Sequence, residues 1–163
     1  MSLDVWLTLP KNHPQAPKNL PRSSKVFVRE NGQTKEITRE EYIERYGSEP
    51  TVLLLPKQDD DNNEYTEVWS SNITGNLRLM AEKAKLERVL WHPYDVVENS
   101  DFKAKDIVVP LGEGLLYLLK NEQSLQKLNP ENGWGSYSVL TQFVISYLEA
   151  CLTFPDASVH TWM

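Results

Sequence analysis

One stretch of this chain carries a local argument for ligand chemistry: Asn132-Gly133-Trp134-Gly135, which runs straight into Ser136 and an apolar-periodic segment. Glycines let backbone amides approach a ligand, and the first amides of a helix are unpaired donors backed by the positive end of its dipole, so the arrangement suits a phosphate. Trp134 would stack on a base or sugar. The same residues also make a tight turn whose tryptophan packs into the core, and the spacing matches neither a Walker loop nor a dinucleotide fingerprint. Asparagines and tryptophans at helix starts are costly unless they hydrogen-bond or stack. Asn72 and Asn76 lie four apart and share a face on a helix that begins near Asn72 or Thr74. We expect Asn72, Asn76, Trp91, Asn132, Trp134 and Tyr137 to converge on one concave surface. Such a surface is either a cleft where two helix N-termini favour an anion, or a tie between two helix starts.

Other chemistry finds little to stand on. His13, His92 and His160 never fall within a ligand spacing of one another, and with one cysteine they make no structural zinc motif. His92 reads as a partly exposed loop residue bonded to backbone. Cys151 sits on a core position of the last helix, where an apolar setting raises a thiol's pKa and leaves it inert. There is no GxSxG elbow and no familiar Ser–His order. Glu40 and Glu41 are first-turn acids that the helix dipole explains. The acidic run at residues 59–63 lacks the central glycine and the glutamate of an EF-hand loop. The expectation is therefore no metal, no cofactor and no assigned catalytic residue.

The elements that would position these residues follow from periodicity. Leu3, Val5, Leu7 and Leu9 alternate with Asp4, Trp6 and Thr8, which is a half-buried strand. Four prolines between Pro10 and Arg22 preclude a helix there. Residues 25–30 and 33–37 flank Asn31-Gly32, a two-residue hairpin turn that sets Val26 opposite Ile37. Thr38-Arg-Glu-Glu41 is a capping box, Ile37 and Tyr42 form its hydrophobic staple, and Gly47 ends the short helix. Residues 51–56 and 65–70 read as strands. Helices are predicted over 74–86, over 110–128 on a leucine stripe that includes Leu119, and over 137–152 on the face Val139, Leu140, Phe143, Val144, Tyr147, Leu148 and Cys151. A last strand spans 157–162 and can pair with the first. Gly112 and Gly114 weaken the middle helix unless they permit close packing.

The predicted fold is α+β: one globular domain over residues 1–163, with a mostly antiparallel sheet and three main helices packed on one face. A net charge of −6, with acids scattered among lysines, disfavours nucleic acid and anionic membrane. Apolar runs are too short to span a bilayer, the start of the chain has no basic leader, and a lone cysteine fits a reducing cytoplasm.

The segments NGQTKEITREEYIERYGSE (31–49), SSNITGNLRLMAEKA (70–84), LWHP (90–93), PLGEGLLYLL (110–119) and NPENGWGSYSVLTQFVISYLEACLTFPDA (129–157) occur in a familiar order. Together they resemble a family of small phage and bacterial proteins that carry no established activity. In that family a histidine is expected where this chain has Gly75, so the resemblance implies the loss of a ligand or base here. It further implies an accessory protein of the infected cell's cytoplasm, and the absence of a convincing acid–base pair favours a non-enzymatic one that binds a host protein or sequesters a small anionic ligand. The alternative is a small enzyme acting on a nucleotide-like substrate through the 129–136 loop.

Overall fold

The alternation that opens the chain is realised as β1 (Ser2–Pro10), the central strand of a three-stranded antiparallel sheet in the computed structural model, which describes residues 2–16, 25–30, 33–47, 64–95 and 102–163. Its neighbours are β4 (Tyr65–Thr74) and β5 (Ser158–Trp162), so the two ends of the chain pair as expected. The fold is α+β. Leu3, Val5, Leu7 and Leu9 are at most 1% exposed and form the inner face. Burial of each such side chain contributes about 1.5–3 kcal/mol, which makes this strand the anchor of the core.

By its contacts the chain divides into two compact units, Pro17–Glu64 and the remainder. The smaller unit holds β2 (Lys25–Glu30), β3 (Gln33–Thr38) and α1 (Arg39–Tyr46). The hairpin has the predicted register, Glu30 opposite Gln33 and Val26 opposite Ile37, but among the described residues it forms a two-stranded sheet of its own, not part of one common sheet. Ile37 is buried with Tyr42 packed on it, as a staple requires. Gly47 closes α1 with φ +67°, its amide bonded to the Ile43 carbonyl at 2.8 Å. Thr38 is the last residue of β3, and its side chain, like the strand expected over 51–56, lies outside the described residues.

In the larger unit β4 runs on to Thr74, so Asn72 lies in a strand and not at a helix start. The pairing of Ile73 with Leu3, both buried, outweighs the cap-like local sequence. The helix expected over 74–86 is replaced by a 3-10 turn (Gly75–Leu77) and α2 (Arg78–Lys83). Lys85 then takes a left-handed conformation, φ +58°, and α3 (Glu87–Trp91) starts afresh. That break turns Leu86 into the core, where it is fully buried against Gly114. Close packing at Gly114 is what the glycine allows; at Gly112 an added methyl would meet nothing within 4 Å.

The helix predicted over 110–128 is α4 (Val108–Lys120), interrupted at Asn121 and continued by α5 (Glu122–Leu125) and a 3-10 turn. Leu111, Leu118 and Leu125 face the core, but Leu119 is 53% exposed. The last helix, α6 (Tyr137–Thr153), matches its prediction within one residue at its end, with Ser136 capping the Val139 amide. Leu140, Phe143, Val144, Tyr147 and Cys151 are buried as expected, but the face is turned slightly: Val139 is exposed and Leu148 half-buried, while Tyr137, Thr141 and Ala150 are buried as well. Trp69 of β4 stacks on Tyr147 at 5.0 Å and donates its indole N–H to Ser146 Oγ at 3.1 Å, which fixes α6 to the sheet. Among the described residues no helix is long and apolar enough to cross a membrane.

Candidate functional site

The loop before α6 and the turn after β4 are brought together. Gly135, at φ +99°, lies flat on that turn: a Cβ there would stand 2.7 Å from Thr74 Cγ2 and 2.9 Å from Leu77 Cγ. Asn76 donates to the Trp134 carbonyl at 3.4 Å, and Asn132 Oδ1 accepts from the Trp134 amide at 2.9 Å. Asn76, Asn132 and Trp134 therefore meet. The remaining predicted site residues are placed elsewhere. Asn72 faces outward on the sheet and donates to Asp4 Oδ1 at 2.6 Å. Trp91 is 4% exposed under the Arg78 guanidinium, which stands 6.0 Å from its ring centroid. Tyr137 is buried and donates its hydroxyl to the Leu118 carbonyl near the end of α4, at 3.0 Å.

Several amides of the loop and of the first turn of α6 are already bonded. Asn129 Oδ1 accepts from the Tyr137 amide at 2.7 Å and Ser136 Oγ from the Val139 amide at 3.3 Å. Gly133 donates to the Pro130 carbonyl, and the Trp134 amide is held by Asn132. A phosphate that used these amides would have to displace their bonds, each worth about 0.5–1.5 kcal/mol net. Of these asparagines only Asn76 bonds across to the other segment, Asn132 holding its own loop, so three of the six expected residues meet and the full convergence is not formed. What the loop presents is the Trp134 ring, which does not pack into the core but stands 69% exposed. Leu79, three residues beyond Asn76, and Val139, in the first turn of α6, are exposed too.

A second polar cluster lies along α2 and α3. Arg78 bonds Glu87 through Nε at 2.9 Å and through a terminal nitrogen, and His92 Nε2 lies 3.3 Å from the guanidinium and 3.7 Å from Glu87 Oε1. The His92 ring thus faces side chains rather than backbone. This is a surface ion pair capped by an imidazole, and it covers Trp91. Cys151 is fully buried, and burial pushes its thiol up to about 12. The Tyr147 phenol is likewise raised well above its usual value by burial. Among the described residues no three of His, Cys, Asp or Glu gather as metal ligands.

The outer face of the sheet carries residues that the sequence placed on a strand without a role. Pairing puts Trp162, Asp4 and Asn72 in one row across β5, β1 and β4, with His160, Trp6 and Ser70 in the next. Trp6 stacks on His160 at 5.3 Å with 16° between the rings, and His160 Nε2 lies 2.9 Å from Thr8 Oγ1. Beyond the bulge in β4, Glu67 accepts from Ser70 Oγ at 2.6 Å, and at the β5 corner Lys103 Nζ reaches Ser158 Oγ at 3.3 Å. The alternation Asp4-Trp6-Thr8 was the available signal, but only the register with β5 aligns the tryptophans. Compared with family models, curated proteins and solved structures, the chain matches none.

Proposed function

We propose that this chain is a binding protein and not a catalyst: an accessory factor of the phage type that captures a host protein in the cytoplasm through the surface around Trp134. The observation that carries this reading is the exposure of the Trp134 indole on a loop whose backbone is pinned by Asn76, Asn132 and the close approach of Gly135. Rigid, exposed aromatic rings are favoured anchors of protein interfaces, because they bury much area at low entropic cost. The bonds already made by the Gly133, Trp134, Tyr137 and Val139 amides reduce what this segment offers a phosphate, which favours binding of a protein over the nucleotide-directed alternative.

Among the described residues Trp134 is hydrogen-bonded through its backbone alone, so Trp134→Ala keeps those bonds and removes only the exposed ring. The expected result is an unchanged urea midpoint together with loss of a stoichiometric host-protein partner in a pull-down. A partner retained by Trp134→Ala would overturn the reading. So would a rise in stability with nucleotides or inorganic phosphate, which at a hundredfold excess over Kd amounts to about 2.7 kcal/mol.

A further inference from the structure

The outer sheet face offers a second site, independent of the Trp134 loop. We infer that it binds the ring of a neutral carbohydrate, with Trp162 and Trp6 as the stacking surface and Asp4 and Asn72 as the hydroxyl-reading pair. Trp162 is 69% exposed on β5 and pairs across from Asp4, and Trp6 lies in the adjoining row, stacked on His160. Directly paired side chains of neighbouring strands have Cβ atoms only about 4.5–5.5 Å apart, so a sugar lying over the Trp162 indole reaches the carboxylate beside it. The C–H face of a pyranose is apolar and suits an indole, while its rim of hydroxyls needs donors and acceptors side by side.

The carboxylate–amide pair supplies both. Asn72 Nδ2 donates to Asp4 Oδ1 at 2.6 Å, which fixes the two groups and leaves Asp4 Oδ2, the Asn72 carbonyl and one amide hydrogen to address adjacent hydroxyls. Groups held this way before binding lose little freedom when a ligand arrives. Charge selects the class. A single-stranded nucleic acid would use the same rings, but its backbone needs a track of cations, and this face presents Asp4 and Glu67 with Lys103 only at its corner. A neutral saccharide carries no such conflict.

The test is a titration of the ¹⁵N-labelled full chain with neutral hexasaccharides (malto-, cello- and chito-oligosaccharides), followed through the indole N–H signals. The expected result is saturable shifts of Trp162 and Trp6 with at least one sugar and none at Trp134. Trp162→Ala and, separately, Asp4→Asn should weaken that binding by about tenfold or more, with circular dichroism showing both variants folded. Three results would overturn the inference: no sugar moves these signals, Trp162→Ala leaves the affinity unchanged, or oligo-dT moves the same signals more strongly than any sugar.

Discussion

Two glycines two residues apart on α4, and so on opposite sides of it, give opposite predictions for the same substitution. At Gly114 an added methyl would stand 2.2 Å from Leu86 Cδ2 and 2.3 Å from Leu86 Cγ. Carbon atoms in contact sit at about 3.5–4.0 Å, so something must move by more than 1 Å. Leu86 is 0% exposed and has no outward route, which places the overpacking cost near the top of its usual range of about 1–3 kcal/mol. Alanine recovers about 1 kcal/mol of helix propensity, leaving Gly114→Ala about 2 kcal/mol less stable. At Gly112 nothing lies within 4 Å, so Gly112→Ala keeps the propensity gain and is about 1 kcal/mol more stable. Urea denaturation followed by helical circular dichroism reads both. With a slope of about 2 kcal/mol/M the midpoints should separate by roughly 1.5 M, on either side of the parent. A Gly114→Ala midpoint at or above the parent's, with the slope unchanged, would show that Leu86 does not fill the notch in α4.

Leu140→Ala, at a fully buried position of α6, should cost about 2–5 kcal/mol, and Leu148→Ala, half-buried, clearly less in the same denaturation series. A reversed order would restore the helix face expected from the sequence. Cys151 should resist iodoacetamide in the native state up to pH 9 and react fully in urea, since burial keeps its thiol protonated there; rapid native alkylation would contradict its place in the core. His160 has its pKa lowered by burial, so the unfolded chain binds its proton more readily than the native one. Its contribution to stability is present above the ordinary value of 6.5 and is lost as pH falls through it and on toward the native pKa, and His160→Gln should flatten the urea midpoint between pH 7.5 and 5.5.

What was legible in the sequence is what local chemistry decides. Ser136 and the 3.6-residue period place α6, Gly47 ends α1, and Asn31-Gly32 sets the hairpin register. The rotation of α6 was missed because Thr141, a polar residue at 9% exposure, sits in the middle of the buried stripe and was not counted as core. The break after α2 had no signal either. Lysine carries no turn preference, and Lys85 adopts φ +58° only because the burial of Leu86 against Gly114 repays it, a contact between residues far apart in the chain.

The candidate surfaces divide along the same line. The loop at 129–136 announced itself through its glycines and asparagines, but which of the amides there were open donors and which already bonded depended on where Asn129 and Asn132 would reach. The outer sheet face depends on pairing still more. A slip of one residue between β1 and β5 would turn Trp162 and His160 inward and leave Asp4 and Trp6 without aromatic neighbours. The inner face forbids that slip, because Val159 is buried opposite Leu7 and would be exchanged for His160. The alignment of two tryptophans beside a carboxylate is thus enforced by the core beneath it, so any function of that face is carried by the same register that holds the fold.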